Sequence, residues 1–348
     1  MKDLSLHTIN SDQTIREALE RLNQIPESLT LFVTGEASKM VGTLTDGDIR
    51  RNLLQNGSIG DKVSSFMQKN FKFLKEGEDN TSKIRQLREN KFNQIPLLDG
   101  ENRIVRIINL NLIKTILPLD AVIMAGGRGE RLRPLTDDVP KPLLKIGDKS
   151  IIDYNIDRIV NHGIRSIFIT VKYLAEKIES HLGTGEDREI KINYIRETEP
   201  LGTIGSVSLI ENYSNDYVLV MNSDLLTNID LEDFYRNFQN ENADMAVASV
   251  PYHVVVPYAV LEKEENNIIS FREKPTFTYY SNAGIYLIKK EMLKMIPVAK
   301  HFNATDFMQE LINQGKKVIQ YPILGYWLDI GRHEDFTKAQ EDIKHIHF

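Results

Sequence analysis

The chain has 348 residues, more than one compact domain usually holds, and its 41% hydrophobic and 26% charged residues set aside long disorder, so two domains are expected. The net charge is −6, with 17 Lys/Arg against 15 Asp/Glu over residues 1–117 and 26 against 34 beyond them; neither part has the basic excess that duplex binding needs, and no nucleic-acid partner is expected. There is no cysteine, which removes disulfides, zinc–thiolate sites and cysteine nucleophiles. The opening "MKDLSLHTIN" has no apolar leader core and no run approaches the roughly 18–20 apolar residues of a membrane span, so a cytoplasmic protein is the expectation.

In chain order, "TIREALERLNQ" predicts an amphipathic helix with Ile15, Ala18, Leu19 and Leu22 on one face, opened by a capping box from Thr14 to Glu17. "LTLFVTGEASKMVGTLTDGDIRRNLLQ" then reads as strand, turn, strand and a helix starting near Asp48. About 64 residues later "NQIPLLDGENRIVRIINLNLIKTIL" repeats that plan, aligning Leu29 with Asn93 and Val41 with Val105. Two helix–strand–strand–helix copies predict a small pseudo-twofold domain.

"VGTLTDGDI" resembles the ligand segment of a CBS (cystathionine β-synthase) domain, and the two copies resemble a tandem pair, a Bateman module, over residues 1–117. The resemblance implies that Thr45 and Asp48 hold a regulatory adenine nucleotide. The second copy departs from the pattern, with Arg106, Asn109 and Leu112 where the first has Gly42, Thr45 and Asp48, so at most one nucleotide site is expected. The other reading is that Asp48 caps its helix and the pair serves packing or dimerisation.

After Pro118 the rhythm changes. "AVIMAGG", "SIFITV" and "DYVLVMNSD" read as buried strands, and "SIIDYNIDRIVNHG" and "KYLAEKIESHLG" as helices ending at Gly163 and Gly183. This alternation predicts an α/β domain over residues 118–348, Rossmann-like, with a mostly parallel sheet, helices on both faces and ligands at the carboxyl ends of the strands.

The loop after the first of these strands, "AGGRGERLRPLTDDVPKPLL", is built for an anion. Gly126, Gly127 and Gly129 let the backbone approach closely, Arg131 is a nearby cation, and Lys141 sits between two prolines that restrict its backbone. It is not a dinucleotide fingerprint, because Leu132 stands where the third glycine belongs, nor a Walker A loop, because no Gly-Lys-Ser/Thr follows. Asp224 ends an apolar strand in "VLVMNSD", and Asp329 follows apolar residues in "YWLDIGR"; two carboxylates without cysteine or clustered histidine suit a hard cation such as magnesium. "ETEPLGTIGS" offers Gly202, where a planar base can lie against the backbone. "FREKPTF" and "NAGIYLI" offer Glu273, Lys274 and Asn282.

In this order the motifs resemble those of the sugar-1-phosphate nucleotidyltransferases, or nucleotide-sugar pyrophosphorylases, over residues 119–348. The resemblance implies that Gly126, Gly127, Gly129 and Arg131 hold a triphosphate and that Lys141 contacts the reacting phosphates. It implies that Glu197 and Gly202 line the nucleotide site, that Asp224 and Asp329 bind magnesium, and that Glu273, Lys274 and Asn282 receive the sugar phosphate. Departures are Glu130, Ser223 and Ile204 where the family commonly has Thr, Gly and Ala, and they bear on base and sugar preference. With the front domains included, the chain is similar to bacterial guanylyltransferases that activate glucosamine 1-phosphate or related hexosamine phosphates for legionaminic-type acid synthesis. That implies GTP and a hexosamine phosphate, with UTP or CTP, or mannose or glucose 1-phosphate, as alternatives; a homo-oligomer is expected. A rival reading is a catalytically inactive nucleotide sensor.

Overall fold

The computed structural model describes residues 4–25 and 28–346; Met1–Asp3, at the head of the stretch read above for a leader, lie outside them. The chain divides into two compact units, Met1–Pro118 with Asn161–Gly163, and Leu119–Val160 with Ile164–Phe348. Among the described residues no helix is long and apolar enough to cross a membrane.

The N-terminal unit holds two three-stranded sheets of the same plan. Thr8–Asn10, Thr30–Thr34 and Met40–Thr45 form the first; Leu74–Lys75, Gln94–Leu98 and Ile104–Asn109 form the second. In each, the first pair is parallel and the second antiparallel. The repeat extends to register: Thr30 faces Thr45 and Gln94 faces Asn109, and each ladder slips at the equivalent step, Val33/Thr34 and Leu97/Leu98. The helix Ile15–Gln24 opens with the Thr14–Glu17 capping box and buries Ile15, Ala18 and Leu22 in a cluster with Leu31, Val33 and Leu44.

The expected closing helix is present only in the first copy. Asp46–Leu54 is capped by Thr45 and Asp48, whose side chain and backbone groups bond each other reciprocally. In the second copy Asn109 and Leu112 cannot make that box. The Asn109 carboxamide instead accepts from Asn111 N at 2.9 Å and its carbonyl accepts from Leu112 N and Ile113 N, closing a turn before the chain runs without regular structure to Pro118.

The C-terminal unit is organised by a seven-stranded mixed sheet in the spatial order Lys191–Arg196, Ser166–Val171, Leu119–Ala125, Tyr217–Asn222, Thr276–Lys289, Met245–Val255, Val318–Pro322. The first four run parallel; Thr276–Lys289 is antiparallel to both of its neighbours. Strand side chains alternate between faces, so near-complete burial of Leu119–Ala125 means that both faces are covered. On one face Val122, Val218, Val220, Tyr286 and Ile288 cluster with Val207, Met292 and Phe307 from the connecting helical segments. The four parallel strands end in one direction, and the loops that follow them meet there.

Candidate active site

A cleft of about 820 Å³ opens at those strand ends, lined by the glycine loop, the strand-terminal residues Asn222 to Asp224, the loop from Glu197 to Thr203, and Asp329. The glycines have different tasks. Gly129 sits at φ +65°, in the left-handed region, and a Cβ there would stand 3.1 Å from the side chains of both Lys141 and Thr136. Its bare backbone therefore lets the loop close onto Lys141. A Cβ at Gly126 would stand 2.8 Å from a Glu197 carboxylate oxygen, whereas one at Gly127 would meet nothing within 4 Å. Gly127 faces open cleft.

Leu132, the residue that rules out the dinucleotide fingerprint, is fully buried in a cluster with Leu144, Ile146, Ile151, Leu226 and Ile330. It pins the short helical turn Glu130–Leu132 to the core, leaving the exposed Arg131 at the cleft wall.

Asp224 and Asp329 are brought together by backbone pairing. Leu225–Thr227 pairs antiparallel with Trp327–Asp329, with Leu225 opposite Asp329, and Ile330 N donates to Asp224 O at 3.1 Å. Lys141 donates from Nζ to Asp224 Oδ2, and the same ammonium lies 3.8 Å from Asp329 Oδ1. The other Asp224 oxygen, Oδ1, is buried and without a hydrogen-bond partner. Partial withdrawal from water, with the nearby Asp224 charge, raises the Asp329 carboxyl to about 6, against the pull of Lys141 and Arg131.

Glu197 follows the strand Lys191–Arg196; its amide donates to Val171 O at 2.9 Å and its Oε2 accepts from Leu201 N at 3.4 Å. Gly202 has φ +78°, and a Cβ there would strike Phe302 O at 2.6 Å. Close approach of Phe302's backbone therefore explains this glycine. That contact is part of a bonding set in which Ile204 N and Gly205 N donate to Phe302 O, and it places His301 in the cleft wall.

Nine of the expected C-terminal site residues thus share one cleft: Gly126, Gly127, Gly129, Arg131, Lys141, Glu197, Gly202, Asp224 and Asp329. Glu273, Lys274 and Asn282 are not among its lining residues. Asn282 lies near the rim: its Oδ1 accepts from Gly284 N at 2.9 Å, and Gly284 backs directly onto Asn222. Glu273 and Lys274 are exposed, with Lys274 at φ +42°.

Among the lining residues that the sequence reading did not single out are two cationic or titratable ones, Lys172 and His301. Lys172 follows the strand Ser166–Val171 and was within reach of the strand-end rule; His301 comes from an irregular segment with no sequence signal.

In the N-terminal unit, Thr45 and Asp48 satisfy each other. The Asp48 carboxylate is buried and accepts from Thr45 N (2.9 Å), Thr45 Oγ1 (2.6 Å), an Arg51 guanidinium nitrogen (2.6 Å) and Gln68 Nε2 (3.1 Å).

A cleft at the carboxyl ends of a mostly parallel sheet, with a glycine loop, a lysine and paired aspartates, defines a phosphate-handling α/β protein. The chain belongs to the nucleotidyl transferase family, whose model matches residues 120–346, and residues 1–55 match the CBS domain model. A D-glycero-α-D-manno-heptose 1-phosphate guanylyltransferase of Aneurinibacillus thermoaerophilus is 29% identical over 233 residues, 65% of this chain and 99% of that one. A mannose-1-phosphate guanylyltransferase of Mycobacterium tuberculosis is 30% identical over 65% of this chain and 64% of its own length. For a glucose-1-phosphate adenylyltransferase of Clostridium perfringens the figures are 29%, 64% and 65%. The chain thus spans nearly all of the first relative and just under two thirds of the other two. Among solved structures, HddC from Yersinia pseudotuberculosis superposes with a TM-score of 0.50 at 27% identity, over 65% of this chain and 99% of that one.

Proposed function

We propose that the C-terminal unit joins a nucleoside triphosphate, GTP first, to a hexosamine 1-phosphate such as glucosamine 1-phosphate, releasing pyrophosphate. The observation that carries this reading is the convergence of Lys141, Asp224 and Asp329 in the cleft that the open-faced Gly127 also lines. Membership of the nucleotidyl transferase family supports the reaction class. Guanylyltransferases among the relatives support GTP; the adenylyltransferase relative keeps the base a matter for measurement.

The reaction joins two anions, so its barrier is lowered chiefly by positioning and charge neutralisation. The attacking sugar phosphate, with a second pKa near about 6, is largely dianionic at neutral pH and needs no general base. In this reading the bare backbone at Gly126 and Gly127 admits the triphosphate, Arg131 holds the end that leaves as pyrophosphate, and Lys141 faces the reacting phosphates. Glu197 and Gly202 shape the nucleotide side of the cleft.

The donor set fits a magnesium ion. Two carboxylates stand side by side, one oxygen of Asp224 is buried and unpartnered, and a cation, the Lys141 ammonium, already occupies the space between them. Magnesium commonly takes one or two carboxylates and completes its shell with phosphate oxygens and water. When bound by Asp224 and Asp329 it would neutralise charge developing on the phosphates.

For the N-terminal unit, a regulatory adenine nucleotide at Thr45 and Asp48 requires Asp48 to give up donors it already has, which favours capping as the first role of this pair. Titration of ATP, ADP and AMP against wild type and Asp48→Ala separates the two.

The test of the catalytic reading is a matrix of GTP, UTP, CTP, ATP and dTTP against the 1-phosphates of glucosamine, N-acetylglucosamine, mannose and glucose, scored by pyrophosphate release with and without magnesium. Activity confined to GTP with a hexosamine phosphate is expected. A different productive pair corrects the substrate, and silence across the matrix supports a nucleotide-sensing role instead.

A further inference from the structure

Three neighbouring parallel strands stop in register at the cleft. Ala125, Val171 and Arg196 form the last paired row of Leu119–Ala125, Ser166–Val171 and Lys191–Arg196. One residue further along each chain stand Gly126, Lys172 and Glu197, and all three line the cleft. Glu197 N donates to Val171 O at 2.9 Å, so the Glu197 backbone lies against the start of Lys172.

Two of these three residues carry opposite charge, and the third leaves room for them. A Cβ at Gly126 would stand 2.8 Å from Glu197 Oε1, so the carboxylate uses space that the glycine frees. Its other oxygen accepts from Leu201 N at 3.4 Å. The half-buried Lys172 donates from Nζ to Thr198 O at 3.2 Å, its one hydrogen bond among the described residues. An ammonium has three donors and no acceptor, so two N–H groups are left to offer. Lys172 and Glu197 thus grip the two ends of one loop, residues 198–201, through its backbone, and that loop leads directly into Gly202.

What this pair offers a base runs in one direction. A group that only donates, beside a carboxylate that only accepts, matches a base edge with a carbonyl oxygen next to a ring N–H. Guanine has that edge in O6 and N1–H; uracil and thymine have it in O4 and N3–H. Adenine and cytosine present the reverse, an exocyclic amine beside a bare ring nitrogen. Against Lys172 and Glu197 they would set N–H against N–H and lone pair against lone pair, and a site built for one hydrogen-bond pattern rejects its inverse.

We propose that Lys172 is a specificity-determining residue for the base: its ammonium donates to the carbonyl oxygen of the bound nucleotide's base while Glu197 accepts from the adjoining ring N–H, so that the cleft takes keto bases and refuses amino ones. The proposal rests on the reading that Glu197 and Gly202 shape the nucleotide side, and it narrows that reading to GTP, UTP or dTTP, setting CTP and ATP aside.

ITP and ATP make the test, because their bases differ only at this edge: position 6 is a carbonyl beside N1–H in one and an amine beside bare N1 in the other. Each displaces N-methylanthraniloyl-GTP from the full-length protein in the presence of magnesium. Displacement reads the site that GTP occupies, so an adenine nucleotide held elsewhere does not enter. Wild type should favour ITP over ATP by about 100-fold. Lys172→Met should cut that ratio by about tenfold through a weaker hold on ITP, and Lys172→Arg should restore most of it. If Lys172 only braces the loop through Thr198 O, Lys172→Met weakens both nucleotides alike; an unchanged ratio therefore overturns the proposal. So does a wild type that holds ATP as well as ITP, or that binds neither. Pyrophosphate release is scored separately. A protein that separates ITP from ATP through Lys172 yet releases no pyrophosphate with any sugar 1-phosphate contradicts the assigned reaction and leaves the base selection standing, whereas an active protein with an unchanged ratio contradicts the role of Lys172 alone.

Discussion

Lys141 donates to Asp224 across 83 residues of sequence, and the same ammonium stands 3.8 Å from Asp329. Three charged side chains from separate segments of the chain thereby form one cluster at the cleft. Replacing Asp224 by Asn keeps the volume and removes the charge. Turnover should fall by about 100- to 1,000-fold while the folded state persists, as shown by an unchanged circular dichroism spectrum. Near-normal turnover contradicts the assignment.

Asp329 carries a testable pH signature. Its carboxyl is raised to about 6, above the ordinary carboxylate range near 4, so above pH 6 the folded protein holds a charge that is less favourable there than in the unfolded chain. Asp329→Asn should therefore raise the melting temperature of the ligand-free protein at pH 8. The gain should shrink as pH falls from 6 towards 4, where wild type is relieved by protonation. A gain independent of pH contradicts the shift.

Asp153 should behave in the opposite sense. Burial pushes its carboxyl up, but hydrogen bonds from Ser150, Arg188 and His181 outweigh burial and hold it at about 2. Its contribution is present above about pH 4 and is lost as pH falls towards 2. Asp153→Asn should cost about 3 kcal/mol in denaturant unfolding at pH 7, and the gap to wild type should narrow in acid.

The glycine loop separates packing from ligand approach. Gly129→Ala places a Cβ against Lys141 and Thr136 at φ +65°, so it should lower stability by about 1–2 kcal/mol and impair turnover. Gly127→Ala meets open space and should leave the melting temperature unchanged while raising KM for the nucleotide. Equal effects of the two substitutions on stability would contradict this division.

Asp48→Ala removes the acceptor for Thr45, Arg51 and Gln68 and should destabilise the N-terminal unit by about 1–3 kcal/mol. Urea unfolding checks the loss. An unchanged midpoint would mean that the carboxylate is held for a ligand rather than for its helix.

Legibility in the sequence followed the range of the interaction. Local chemistry was readable: the Thr14–Glu17 capping box, the Gly163 and Gly183 helix ends, and a 64-residue repeat that persists down to strand register. The strand-end rule pointed to Asp224 because a parallel sheet gathers its ligands there, whereas Glu197 was expected only from the family resemblance. The missing helix of the second copy had a signal in the sequence that was not followed through, since Asn109 and Leu112 replace both members of the capping pair. What could not be read was set by long-range packing. Lys141 meets Asp224 only through the fold, His301 reaches the cleft because Phe302's backbone bonds the Gly202–Gly205 turn, and the long antiparallel pairing of Met245–Val255 with Thr276–Lys289 carries the chain from Asn282 out to Thr276, so that Lys274 lies apart from Asn282 although their motifs are adjacent in sequence.

The most direct measurement of the central claim is simultaneous quantification of pyrophosphate and nucleotide-sugar when wild type is incubated with GTP, glucosamine 1-phosphate and magnesium, with Asp224→Asn in parallel. The account predicts one pyrophosphate per GDP-sugar formed by wild type, neither product without the sugar phosphate, and near-zero yield from the variant. Pyrophosphate without GDP-sugar, or equal yields from both proteins, would contradict it.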